Sequence, residues 1–410
     1  MLTDWHHAVA HVDCDAFYAS CETARHPELK GRPVCVLSSQ NAIVVAKSYS
    51  AKAMGITTGM PVWEARRLAP QAVFLAADFR YYGQMSDKVF AILRSYTPEV
   101  EIYSIDEGFM DMNGIRSLWR KSFGQLADDI RQRIWQQTGI TVSVGMANTR
   151  TLAKIASESC KPNGSRIVSG KRIEPFLAAM AVTDIPGIGR NRGALLHKFN
   201  IRTALQFARL DDALMQRLLG SAGLQLKYEL SGRVVWPLRL KPELPKSVAR
   251  TASMGRVTQD RQLVMAYLSY HVMRLVSDLV AKHLLTKDIY LFLTLVSFER
   301  CGARLPLATP TNSLKRVMDA VKQGFGRLYR DGMKYRGCGV VANRISREQS
   351  ATADLFGLIQ QDTRQTSLMQ SVNAINRKYG NRTLSSAAAC RIKPKSAGLR
   401  FRYPLITAYC

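Results

Sequence analysis

Paired cysteines are absent from this 410-residue chain. Its eight cysteines (14, 21, 35, 160, 301, 338, 390 and 410) make no Cys-x-x-Cys and no Cys/His spacing of metal-binding type. A zinc ribbon or a disulfide framework is thereby excluded as the organising device, and reduced thiols, mostly in cores, are expected. Also missing is any run near the roughly 18 apolar residues of a membrane-spanning helix, and the start, Met1-Leu2-Thr3-Asp4-Trp5-His6-His7, has no signal-peptide layout. A cytosolic protein without membrane association is the expectation. Acidic residues are scarce: 31 Asp and Glu stand against 58 Lys and Arg, a formal net charge of +27. That excess is far beyond what solubility requires and points to a polyanionic partner, nucleic acid rather than a membrane surface.

Two groups of those scarce acids stand out. His11-Val12-Asp13-Cys14-Asp15 and Ser104-Ile105-Asp106-Glu107 lie about ninety residues apart, and each interrupts an apolar run. The pattern puts both at strand ends, where they can converge at one edge of a sheet, and grouped carboxylate oxygens suit Mg²⁺. Read alone, Asp13 serves equally well as a helix N-cap and Asp106-Glu107 as ordinary turn acids. In so basic a chain the natural substrate of a metal site is a polyphosphate on a nucleic acid.

With 47% hydrophobic residues the chain can bury real cores, and its length implies about two to four domains. Residues 9–12 read as a strand ending at Asp13, followed by a helix over 16–24. Short strands at 34–37 and 43–46 and helices near 48–54 and from Pro61 make a small satellite. A helix over 82–96 leads to a hairpin over 101–111 with Asp106-Glu107 at its turn. A helix over 125–138, a strand over 141–146 and a helix over 150–159, stopped by Lys161-Pro162-Asn163-Gly164, complete an α+β pattern. Short helices fill 173–230. Pro237, Pro242 and Pro245 mark a linker, and a second α+β unit follows: a strand over 248–257, a helix over 262–285, strand over 289–298, helix over 314–329 and strand over 339–342. Beyond Arg347 the periodicity fades and a partly ordered tail is expected.

These residues carry a family resemblance. HVDCDAFYASCE (11–22), KSYSAKAMGITTGMP (47–61), YSIDEGFMD (103–111), VSVGMANTRTLAKIASESCKPNG (142–164) and DIPGIG (184–189) resemble the successive motifs of the Y-family translesion DNA polymerases. The likeness spans residues 9 to about 345. LMQSVNAINRKYGNRTL (368–384) is similar to the carboxy-terminal extension of UmuC-type members, the catalytic subunits of bacterial DNA polymerase V. The resemblance implies a multidomain α+β right hand: palm at 1–24 and 75–170, fingers at 25–74, a helical thumb at 171–236, a linker at 237–246, an α+β little finger at 247–346 and a UmuC-like tail at 347–410.

The resemblance also implies roles. Asp13 and Asp106 bridge two Mg²⁺ ions, Glu107 binds the catalytic ion and the backbone carbonyl of Cys14 completes the nucleotide-side ion. Tyr18 matches the steric gate that selects dNTP over rNTP, and Phe17 offers its backbone N–H to the triphosphate. Tyr49, Lys52 and Lys161 match residues that hold the triphosphate, with Lys52 standing where many relatives carry arginine. Asp15 is expected to act as a cap or support rather than a ligand, and Lys154 receives no assignment. Pro186, Gly187 and Gly189 resemble a helix-hairpin-helix loop that contacts DNA phosphates without reading sequence. Lys246, Arg250, Arg256 and Arg261 fit a duplex-gripping little finger. Leu355 and Phe356, after Thr352 in place of the usual glutamine, resemble a sliding-clamp peptide. Implied partners are primer-template DNA, dNTP, a processed UmuD dimer, a RecA filament and the sliding clamp. The alternatives are a stand-alone polymerase of the polymerase IV type and a catalytically silent DNA-binding scaffold.

Overall fold

The segment Val9–Cys14 is buried at all six positions, the pattern of a strand covered on both faces rather than one. It forms the central strand of the larger sheet. The computed structural model describes residues 5, 7–38, 42–241, 243–348, 358–380 and 383–392, in two compact units, Met1–Pro242 and Glu243–Cys410. The first unit runs β1 (Val9–Cys14), α1 (Phe17–Arg25), β2 (Val34–Leu37), β3 (Val44–Lys47), α2 (Tyr49–Ala53), α3 (Val62–Leu68), β4 (Val73–Ala76), α4 (Phe79–Arg94), β5 (Val100–Ile102) and β6 (Glu107–Asp111). It continues with α5 (Ile115–Trp119), α6 (Phe123–Thr138), β7 (Val142–Ala147), α7 (Arg150–Glu158), β8 (Ser165–Val168), α8 (Ile173–Ala178), α9 (Arg190–Lys198), α10 (Ala204–Ala208) and α11 (Asp212–Leu230). The second unit has β9 (Ser247–Thr258), α12 (Arg261–Ala281), β10 (Leu284–Leu295), β11 (Arg300–Thr311), α13 (Leu314–Leu328), β12 (Tyr335–Arg347) and α14 (Leu358–Tyr379).

The five-stranded sheet has the order β5-β6-β1-β7-β8, with β1 antiparallel to both β6 and β7. On one face, α4 and α6 contribute Tyr82, Val89, Leu93, Leu126, Ile130 and Ile134 to a core with Val12, Val142 and Val144. The capping box of Ser122 and Gln125 starts α6, and Gly139 at φ 70° ends it. A separate small sheet, β3-β2-β4, surrounds Cys35, Leu37, Val44, Ile56 and Ala65. Its β4, parallel to β2, was not expected from the sequence.

Two buried carboxylates tie down the end of the helical region. Glu229 on α11 accepts hydrogen bonds from the backbone N–H groups of Thr151 (3.2 Å), Val235 (2.7 Å) and Trp236 (3.0 Å). Glu101 accepts from Arg150 Nη2 (2.7 Å) and from the Arg239 backbone N–H (2.8 Å). Val235, Trp236 and Arg239 are therefore held on the first unit.

In the second unit a four-stranded sheet, β11-β10-β12-β9, packs against α12 and α13. Among the described residues α12 is the one helix long and apolar enough to cross a membrane, and 61% of its apolar stretch is buried inside the unit. The expected helix to Leu285 stops at Ala281, because His283 takes a positive φ of 52° and β10 starts at once. The edge strand β11 escaped the sequence reading; Pro306 and Pro310 lie in it, residues that only an edge tolerates. Within the tail, Leu358–Tyr379 form a helix. The 22-residue α14 places Met369, 2% exposed, in the core beside α12, and Asn373 Nδ2 donates to Ser277 O at 3.2 Å.

His271 on α12 is buried, and its Nε2 has no hydrogen-bond partner. Burial first, then the charges of Arg274 and Arg250, lowers its pKa from 6.5 to about 4. The folded state thus keeps it neutral while the unfolded chain protonates near pH 6.5. Stability is unaffected above pH 6.5 and falls as the pH drops toward 4, by about 3 kcal/mol in all. Thermal melts across that range are expected to show wild type losing about 3 kcal/mol relative to His271→Phe as the pH falls, so that the two diverge at low pH.

Candidate functional site

The register of β1 decides which side chains meet. Asp13 at its end pairs with Glu107, the first residue of β6, and His11 lies two residues before Asp13 on the same strand face. The sequence placed Glu107 in a turn; the turn is instead 103–106, closed by the Ser104 N–H to Glu107 O hydrogen bond at 2.9 Å. Single ligand atoms of His11, Asp13 and Glu107 all lie within 4.8 Å of one another.

A third element reaches this group from above. At Gly145 on β7 an added Cβ would meet Ala153 O at 2.1 Å and Ser157 N at 2.3 Å, so α7 lies directly on the sheet there. Lys154, Ser157 and Glu158, spaced three and four apart on α7, thereby come beside β1. Lys154 Nζ donates to Glu107 Oε2, and His11 Nε2 contacts the same oxygen at 3.0 Å. His11 Nδ1 lies 2.7 Å from Ser157 Oγ. Lys161 Nζ is 2.8 Å from Asp13 Oδ1 and 2.9 Å from Glu158 Oε1. Sequence reasoning gave Lys154 no role and did not single out His11; the period-2 spacing from Asp13 and the helical spacing on α7 were the signals for them.

The charge balance follows. Burial alone would raise the Glu107 carboxyl, but hydrogen bonds from His11 and Lys154 and the Lys154 charge bring it down to about 2. Burial pushes Asp13 above the usual carboxylate range, with Lys161 pulling the other way. Burial likewise lowers the His11 pKa and keeps the ring neutral. Two hard carboxylates at one strand end, each accompanied by an ammonium group, fit a site for a divalent cation such as Mg²⁺.

Not every expected ligand joins. The Asp106 backbone does: its carbonyl accepts the Cys14 N–H at 2.8 Å. Its carboxylate, however, is turned to the Ser104 hydroxyl and is outside the His11, Asp13 and Glu107 group. Cys14 is buried and its thiol is pushed well up by burial. Phe17 has its ring in the core and begins α1, where a backbone N–H is free of helical partners. Tyr18 stacks on Tyr82 with centroids 4.6 Å apart and meets Phe79 edge-on at 5.7 Å; Tyr82 OH donates to Glu22 Oε1 at 2.6 Å. Tyr49 lies in the field of Asp15, Lys161 and Asp13, and burial followed by the Asp15 charge pushes its phenol up to about 12. Lys52, one helical turn along α2, is exposed.

The Asp184–Gly189 loop sits among the helices. Ile185 and Ile188 are buried in their core, while Gly187 (φ 94°) and Gly189, the N-cap of α9, face open space. Arg192 Nη1 donates to Gly187 O at 2.9 Å. In β9, Arg250 pairs with Asp278 on α12 and Arg256 is exposed. Leu355 and Phe356 lie outside the described residues.

The chain is similar to known proteins over most of its length. The impB/mucB/samB family model matches residues 12–158, and the model of that family's C-terminal domain matches 245–355. DNA polymerase IV of Dehalococcoides mccartyi is 30% identical over 389 residues, covering 94% of this chain and 98% of that protein. DNA polymerase IV of Bacillus velezensis is 28% identical over 93% of both chains, and protein UmuC of Salmonella typhimurium is 30% identical over 91% of both. In fold, the chain resembles a Y-family DNA polymerase chimera built on Dbh, with a TM-score of 0.69 at 24% identity over 82% of this chain and 99% of the other.

Gly145 is the hinge of the site's assembly, so Gly145→Ala should force α7 off the sheet. The expected cost is about 3 kcal/mol, read from the midpoint of urea unfolding. Gly124→Ala, inside α6 with no neighbour closer than 3.9 Å, is the control and should leave the midpoint unchanged or raise it slightly.

Proposed function

The chain belongs to the Y family of DNA polymerases, and on that premise we propose that it performs error-prone translesion synthesis as part of the SOS response to DNA damage. The reaction is template-directed addition of dNMP to a primer 3′-hydroxyl. The observation that carries this reading is the pairing of Asp13 with Glu107 across β1 and β6, with two lysine ammonium groups beside it.

Two Mg²⁺ ions, when bound, supply an activated primer oxygen and neutralise the leaving pyrophosphate. Asp13, Asp106, Glu107 and the Cys14 carbonyl would hold them in this reading, with Asp106 having to exchange its bond to Ser104 for the ion. Lys161, Tyr49 and Lys52 receive the triphosphate, with the Phe17 N–H as a further donor. The Tyr18 ring, braced by Tyr82, fills the space of a ribose 2′-hydroxyl. Gly187 and Gly189, with Pro186 before them, offer unobstructed backbone to a DNA phosphate. The five-stranded sheet with α4, α6 and α7 takes the role of palm, the β3-β2-β4 sheet that of fingers, α8 to α11 that of thumb, and the second unit that of little finger.

The UmuC branch is supported by the Salmonella relative and by the 368–384 sequence, which covers the end of α14. It brings a processed UmuD dimer, a RecA filament, the sliding clamp and a cytoplasmic setting. Polymerase IV proteins match as much of the chain, so a stand-alone enzyme of that type is the second reading.

Primer extension opposite an abasic template site, with Mg²⁺, tests the enzyme. Asp106→Ala should lower it by roughly a thousandfold; equal extension by both proteins would refute the metal assignment. Stimulation by processed UmuD and RecA separates the UmuC branch from the polymerase IV type. Tyr18→Ala should admit rNTPs while leaving dNTP insertion in place, measured as the ratio of rNTP to dNTP kcat/KM.

A further inference from the structure

Asp15 stands two residues beyond Asp13, is 1% exposed, and is not among the grouped ligand atoms. A carboxylate that deep is tolerated only when its oxygens are satisfied. Both are. Ser143 Oγ donates to Oδ1 at 2.8 Å, and the backbone N–H of Asn163 donates to Oδ2 at 2.8 Å. The second contact spans 148 positions and lands in the turn after Lys161.

That turn is held on its other sides too. Arg131 Nη2 donates to Asn163 Oδ1 at 3.0 Å and also to the Asn163 carbonyl. At Gly164 an added Cβ would meet Cys160 O at 2.0 Å, so the chain returns tightly on itself. Lys161, two residues before Asn163, sends Nζ to Asp13 Oδ1 and Glu158 Oε1. Tyr49 lies in the field of Asp15 and Lys161.

We propose that Asp15 is a positioning residue of the nucleotide site: by accepting the Asn163 N–H it fixes the turn that aims Lys161 at the triphosphate. It works as a hydrogen-bond acceptor and not as a metal ligand. The proposal rests on the polymerase reading above.

The acceptor role makes a specific demand on substitutions. An asparagine carbonyl can accept the Asn163 N–H while its amide donates to Ser143 Oγ, so Asp15→Asn preserves both contacts; alanine preserves neither. With full-length protein on primer-template DNA, Asp15→Asn should keep wild-type kcat and KM for dNTP. Asp15→Ala should raise the KM for dNTP about tenfold, with kcat altered much less. Lys161→Ala should raise the KM similarly, and adding Asp15→Ala to it should change little more. Loss of kcat in Asp15→Asn to the level of Asp13→Asn would overturn the proposal, as would additive effects of Asp15→Ala and Lys161→Ala. The asparagine variant keeps the test decisive should the alanine variant fail to fold. Amide hydrogen exchange at Asn163 is independent of the polymerase reading. Slow exchange in wild type and Asp15→Asn supports the anchor, and fast exchange in both overturns it, whether or not the wild-type protein extends a primer.

Discussion

The antiparallel pairing of β1 with β6 sets Asp13 across from Glu107, and a slip of one residue would send one of the two carboxylates to the opposite face of the sheet. The pairing of β1 with β7 on its other side is equally consequential, because it puts Gly145 where α7 must approach. One strand thus fixes the acids and the helix that carries Lys154 and leads into Lys161. The core packed by α4 and α6 pins the other face and makes the register costly to change.

Buried charge is the recurring problem that this fold solves, each time with a different partner. Glu107 shares one oxygen between Lys154 and His11. Asp13 pairs with Lys161. Among the described residues Asp15 and Glu229 make no ion pair; backbone N–H groups and a serine hydroxyl satisfy them, and those contacts tie distant segments together. Removing one member of such a set leaves an uncompensated charge, which costs more than the pair contributes.

The second unit follows a plainer logic. The apolar α12 packs against the four-stranded sheet and α14, so a helix long and apolar enough to cross a membrane is a core helix of this unit. The net charge of +27 resides on a surface whose interior is apolar, the balance expected of a protein that handles a polyanion with strongly salt-dependent affinity.

From the sequence alone came the two acidic motifs, the alternation of strand and helix around them, the Asp184–Gly189 loop and the aromatic pair at Phe17 and Tyr18. These are local patterns of period, punctuation and residue type, which a chain carries without reference to its fold. The sequence could not show that Lys154 and His11 share Glu107, that Asp106 turns to Ser104, or that Asp15 reaches across 148 positions to Asn163. Nor did it reveal the edge strand β11 or the docking of α14. Each of these depends on strand register and on how closely α7 and α14 approach their neighbours, and such distances are set by packing between segments far apart in the chain.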